Sequence, residues 1–293
     1  MQRPEPTTDR DSSRDDASAI LARIAGDETE FERRGTAARG RRDTVRALGQ
    51  LSGALTSSAR RAGAATVTSG RWLSDIVVDA APRIPVRDLQ TLRMQHPGLD
   101  DEALADALVA GAARATAAVG VAGGALTGLK WSVPVTLVTV PIQLAVETAA
   151  VAVIEIKLVA ELHEVYGVRI EGAPSQRGAA YALSWANRRG INPLEPATLT
   201  AALGVVARRR VQRRLIARAG RGIGTVAPLM AGAVYGAWSN RRQTLVLADA
   251  LRGDLRRRPF VASMTGRAVS KLLEPAVRRR LRSSRRRVRP FGP

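Results

Sequence analysis

Two long stretches without charge constrain this chain more than any other feature of its sequence. Residues 115–146 carry a single charged side chain, Lys130, and residues 222–240 carry none. Such stretches are stable when they are buried in a protein core or in lipid, because they expose apolar surface to water otherwise. Glycines recur within both and form a small-residue surface on which helix backbones can approach closely. The candidates for this close helix packing are Gly120, Gly123, Gly124, Gly128, Gly232 and Gly236.

The rest of the chain follows the period of an α-helix. Residues 45, 48, 51 and 55 are apolar or small at spacings of three and four, as expected for one buried helix face. Asp100 is placed to cap a helix that we expect to end near Val119. We therefore predict an all-α fold, a multi-helix bundle in which the glycine-rich apolar stretches form helical hairpins. Other helices are predicted before Pro82, near 86–96 and over 142–166, 177–189, 197–219 and 241–258; the β-branched run 133–140 has a strand as its alternative.

Composition divides the chain into three parts. Residues 1–42 are dense in charge and poor in large apolar groups, so we expect them to be disordered apart from one helical turn near Ile20. Residues 43–258 are predicted to form the helical domain. Residues 259–293 are an arginine-rich tail that we also expect to be disordered.

The positive charge is concentrated at one end of the chain. Residues 201–293 carry 23 basic and 3 acidic side chains and so account for the whole net charge of +20. Clusters of arginine attract phospholipid headgroups or nucleic-acid phosphates through long-range electrostatics. A solvated tail without a specific partner is the third alternative. The arginines that we predict to bind an anionic surface are Arg208, Arg209, Arg210, Arg213, Arg214, Arg278, Arg279, Arg280, Arg285, Arg286 and Arg287.

The apolar stretches are compatible with three arrangements relative to a membrane. They can be core helices, a hairpin that dips into one leaflet, or true spans. A span needs about 20 mostly apolar residues. Residues 115–129 are too few, and residues 131–146 contain two prolines. Residues 222–240 are rich in glycine and polar groups, so a span is the least favoured of the three arrangements.

Residue types that carry catalysis or bind cofactors are sparse. The chain has no cysteine, which excludes disulfides and thiolate chemistry and fits a reducing compartment. His163 lies between two glutamates, but Glu161 is four residues after Lys157 and is better placed for a salt bridge. Glu147 is the one acidic residue of a long apolar region and is a candidate buried carboxylate, with Glu155 two turns later. We predict no metal site and no cofactor, and we favour a non-catalytic protein over an enzyme that acts through Glu147.

The order of these features resembles the EcsC protein family. The resemblance rests on the capped helix before AAVGVAGG at 117–124, the ELHEVYG helix end at 161–167 and the glycine-rich run GIGTVAPLMAG at 222–232. It covers about residues 72–255 and implies a bacterial helical protein associated with membranes. It implies no catalytic residues.

These observations lead to one expected function and one alternative. The expected protein is cytoplasmic and peripheral to the inner face of the cell membrane, attached by its apolar helices and its basic C-terminal third. No apolar leader follows the first residues, so we expect no secretory signal. The alternative is a nucleic-acid-binding protein that uses the same basic third, although few aromatic residues and no zinc or helix-turn-helix pattern accompany its arginines.

Overall fold

A computed structural model of the chain describes residues 7–34, 37–62, 71–129, 139–168, 170–189 and 227–257. Within these residues the protein has eight α-helices, one 3₁₀ helix at Ala81–Arg83 and no strand, which confirms the predicted all-α fold. The helices are α1 (Thr7–Arg34), α2 (Ala37–Ala62), α3 (Arg71–Ala80), α4 (Leu89–Gln95), α5 (Asp101–Leu129), α6 (Thr139–Val165), α7 (Pro174–Arg188) and α8 (Ala227–Arg257). The predicted helix at 197–219, residues 133–138 and the arginine-rich tail lie outside the described residues.

The central element is α6. Every residue from 145 to 163 is buried, and α6 contacts each of the other seven described helices. Alanine, valine and isoleucine dominate this segment, so its whole circumference can be covered by neighbouring helices. Gly167 follows the helix with a φ of 68°, a left-handed conformation that glycine adopts without steric cost, and this matches the predicted end.

The longest helices, α5 and α8, form the most extensive helix pair in the described part of the protein. The carboxylate of Asp100 accepts a hydrogen bond from the backbone N–H of Ala103 at 2.7 Å, which confirms the predicted cap. However, α5 continues to Leu129, ten residues beyond the expected end near Val119. Similarly, α8 begins at Ala227, well before the expected start at residue 241.

Glycine packing explains why both helices are longer than expected. Gly120 of α5 and Gly236 of α8 lie where the two backbones cross, and a Cβ atom on Gly120 would be 2.5 Å from the carbonyl carbon of Gly236. A glycine inside a helix costs about 1 kcal/mol relative to alanine, and for that reason the sequence pattern favours a break. The close contact between the two backbones compensates for that cost, because it increases dispersion contacts along both helices.

The N-terminal segment differs from the predicted disorder over residues 1–42. Residues 7–34 form α1, in which Leu21 and Ala25 are fully buried against the rest of the bundle. Its charged side chains are partly paired with other elements, as in Arg14–Asp79 at 2.8 Å and Asp15–Arg83 at 2.9 Å. The composition of residues 1–42 does not indicate this helix, because a few buried apolar side chains are enough to stabilise a helix that packs against a core formed by other helices.

Candidate functional site

A buried ion pair connects α6 to the end of α7. Glu155 is fully buried and is paired with Arg189, the residue that follows α7. The indole N–H of Trp185 donates to the other carboxylate oxygen of Glu155 at 2.7 Å. Arg189 also donates from Nη1 to the amide oxygen of Gln243 on α8 at 3.1 Å. The Glu155 carboxylate thus fixes the position of an arginine at the junction of α6, α7 and α8.

Hydroxyl and amide groups extend this network to α5. The Thr244 hydroxyl lies 2.9 Å from the Glu155 carboxylate and 2.9 Å from the Thr116 hydroxyl. Each hydroxyl has one proton and two acceptor lone pairs, so the Thr116 and Thr244 hydroxyls can share a hydrogen bond in which either is the donor. Asn240 donates from Nδ2 to the Thr116 carbonyl at 3.1 Å and to the Glu147 carboxylate at 3.3 Å. The network therefore holds α5, α6 and α8 in one register.

A second buried cluster lies further along α6. Lys157 is fully buried and lies 3.6 Å from Glu161, as its spacing predicted. The guanidinium of Arg87 donates two hydrogen bonds of 2.7 Å to the Glu161 carboxylate. His163 donates from Nδ1 to the Val159 carbonyl, and burial lowers the pKa of its imidazole. These partners make Glu161 and His163 structural, and no group of acidic and histidine side chains suited to a metal occurs among the described residues.

An open groove lies beside the first network, between the end of α7 and α8. Its volume is about 370 Å³. Three of its lining residues are arginines: Arg188 and Arg189 at the end of α7, and Arg242 on α8. The remaining lining residues all lie on α8 and are largely apolar: Trp238, Ser239, Gln243, Val246, Leu247 and Ala250. Arg188 is paired with Asp254 at 3.2 Å, and Arg189 is paired with Glu155, whereas Arg242 has no carboxylate partner among the described residues.

The same side of α8 exposes large apolar groups. Val234, Tyr235, Trp238 and Val246 are each 41–63% exposed, a high value for side chains of this size. At 3.6 residues per turn they fall within an arc of about 120°. Arg242 is exposed within this arc and Arg241 is exposed about 20° outside it. The Arg242 guanidinium lies 5.4 Å from the centre of the Trp238 indole. We refer to these six residues as the α8 face.

The predicted site residues fall into two groups. All eleven arginines proposed to bind an anionic surface lie outside the described residues. The packing glycines lie in α5 and α8; besides the Gly120–Gly236 crossing, Gly123 lies against the Glu147 carboxylate, to which an added Cβ would be 3.1 Å. Gly124, Gly128 and Gly232 lie within these helices. Glu147 itself is only 2% exposed.

Sequence analysis missed the groove and the residues beneath it. Arg189 and Thr244 have no motif around them, and their relation to Glu155 depends on how three helices pack. The signal that could have identified the α8 face is the pair of arginines after Trp238 in a run of apolar residues. In a helix this pattern places basic and aromatic groups together.

One segment within the described residues, Asp101–Gly123 of α5, is long and apolar enough to cross a bilayer. Of its most apolar 18-residue window, 61% is buried inside the protein, and core helices of proteins outside membranes meet the same criteria. The segment alone is weak support for a membrane span.

Comparisons with family models, with curated proteins and with solved structures found no match to this chain.

Proposed function

We propose that the protein is a non-catalytic, peripheral membrane protein that attaches to anionic phospholipid through the α8 face. In this proposal the protein is cytoplasmic and is related to the EcsC family. The arginines of its C-terminal third add electrostatic attraction to the apolar contact made by α8.

The observation that carries the proposal is the composition of the α8 face. Tryptophan and tyrosine favour the headgroup region of a bilayer, because their rings are apolar and each has one polar group that can remain hydrated. Arginines beside them can contact lipid phosphates while their aliphatic stems lie along the apolar surface. Exposed apolar groups that share one helix face with basic residues are typical of helices that lie in the membrane interface.

Electrostatics of the chain supports the same partner. Each basic residue near an anionic membrane contributes about 1 kcal/mol of attraction. With a net charge of +20, even a minority of the arginines would hold the protein at the surface. Apolar insertion of α8 would then make binding less sensitive to salt than the charge alone predicts.

Sedimentation of the full-length protein with vesicles tests the proposal. Vesicles of phosphatidylcholine alone are compared with vesicles that also contain phosphatidylglycerol, at low and high salt. We expect binding to the anionic vesicles, and we expect the double variant Trp238→Ser, Val246→Ser to bind at least about tenfold more weakly, because two apolar side chains no longer insert. Met94→Ser is the matched control, since Met94 is 67% exposed on α4, away from the α8 face.

Two results would overturn the proposal. One is equal binding of the double variant and the wild-type protein to anionic vesicles. The other is tighter binding to duplex DNA than to those vesicles, with no effect of the double variant on DNA binding, which would favour the nucleic-acid alternative.

A further inference from the structure

We infer that the groove between α7 and α8 is a binding site for the phosphate headgroup of an anionic phospholipid. The inference rests on the proposed function and deepens it, because it assigns a specific lipid site to a surface that would otherwise attract lipid only by general charge and apolarity.

The guanidinium of Arg242 is available to an anion in the groove. Arg242 is exposed, stacks on Trp238 and has no carboxylate partner among the described residues. Arg189 is held in place by Glu155 and Gln243, yet its Nε is buried without a hydrogen-bond partner in the part of the chain that the structure describes. The buried Nε of Arg189 is closed to solvent, so the accessible guanidinium of the groove lining is that of Arg242, which can donate charge-assisted hydrogen bonds to a phosphate.

The position of Arg189 is fixed before any ligand binds. Its carboxylate partner, Glu155, is held in turn by Trp185 and Thr244. The network described above therefore acts as a support for one arginine of the groove. A preorganised arginine loses less conformational entropy on binding than an arginine that is free in solvent.

Size and composition of the groove favour a lipid over a free anion. Its volume of about 370 Å³ is at the small end for ligand pockets, enough for a phosphoglycerol headgroup. Its apolar lining includes Trp238 and Val246, which also belong to the α8 face. A lipid whose phosphate lies in the groove could therefore extend its acyl chains along that face. Inorganic phosphate would leave these apolar side chains uncovered.

Calorimetric titration of the full-length protein with dihexanoyl phosphatidic acid, a short-chain lipid that stays monomeric, tests the site. We expect saturable binding at one site, weakened by about tenfold or more in Arg242→Gln, because a charge-assisted hydrogen bond is lost. Arg46→Gln removes the same charge from an exposed position of α2, outside both the groove lining and the α8 face, and we expect less than a twofold change, since salt screens its longer-range effect.

A second pair of variants adds a charge. Ala250→Glu places a carboxylate in the groove lining and should weaken binding by about tenfold through repulsion of the phosphate. Ala110→Glu introduces the same group on an exposed position of α5 and should leave binding unchanged. Circular dichroism of each variant checks that the helices are intact.

Three results would overturn the inference. They are binding that does not saturate, equal losses in Arg242→Gln and Arg46→Gln, and binding of inorganic phosphate as tight as that of the lipid. The proposed function can be judged separately. If the short-chain lipid does not bind but anionic vesicles do, only the groove site is excluded. If the short-chain lipid binds but anionic vesicles do not, only the membrane attachment is excluded.

Discussion

Gly120 is the residue at which a single methyl group should have the clearest effect. In an ordinary helix position, glycine to alanine stabilises by about 0.5–1 kcal/mol. At Gly120 the new Cβ would lie 2.5 Å from the backbone of Gly236, so α5 and α8 must separate. We expect Gly120→Ala to lower the free energy of unfolding by about 1–3 kcal/mol, as overpacking of a core does.

Urea denaturation measures this effect, and Gly49→Ala is the control. Gly49 lies in α2, and a Cβ there would have no neighbour within 4 Å, so this variant should be slightly more stable than the wild-type protein. Equal stabilisation by both substitutions would contradict the close approach of the two helices.

Lys157 illustrates what spacing along a helix can and cannot predict. Its contact with Glu161 follows from the four-residue separation, because such side chains lie on the same helix face. The third member, Arg87, comes from a segment 74 residues earlier in the chain. No periodicity connects it to Glu161, so only packing of the loop before α4 against α6 could reveal why a lysine is tolerated there.

At the scale of elements, α1 is the helix whose contribution composition most underestimates. Leu21 is fully buried, so Leu21→Ala should lower the free energy of unfolding by about 2–5 kcal/mol. Leu99→Ala is the matched control, because Leu99 is 40% exposed and the same substitution there should change stability by less than about 0.5 kcal/mol. Urea denaturation measures both variants. Equal destabilisation by Leu21→Ala and Leu99→Ala would contradict the packing of α1 on the bundle.

Helix α8 has two different sides. Gly236 and Leu247 face the bundle, whereas Val234 and Trp238 are exposed. The sequence of this helix is apolar on both sides over its first half, so its pattern identifies a buried helix but not which residues remain at the surface. The residues of α8 that remain exposed are those away from the side that packs on α5. Gly236, at the crossing with α5, determines which side that is.

At the scale of the whole molecule, a cluster of charges joins the first turn of α5 to the last turns of α8. Hydrogen bonds from Arg256 and then Arg252 hold the pKa of Glu102 at about 2, below its usual value of 4.5. The lowered pKa means that this carboxylate stabilises the fold above pH 4.5, and the stabilisation is lost as the pH falls from there to about 2.

Glu102→Gln tests this linkage. Because Glu102 is about half exposed, we expect the variant to be less stable at pH 7 by no more than about 1 kcal/mol. The difference from the wild-type protein should shrink below pH 4.5 and vanish near pH 2. Urea denaturation across this range measures it, with Glu171→Gln in an exposed loop as the control. A difference that is independent of pH would show that packing, and not charge, is responsible.

The sequence by itself determined the helical class, the cap at Asp100, the end at Gly167 and the Lys157–Glu161 pair, because each depends on residues within a few turns of one another. Tertiary structure decided the lengths of α5 and α8, the formation of a helix by residues 7–34 and the partners of Glu155. These features depend on contacts between residues far apart in the chain, for which local pattern carries no information. The groove and the α8 face belong to the second group, since exposure is a property of the packed molecule.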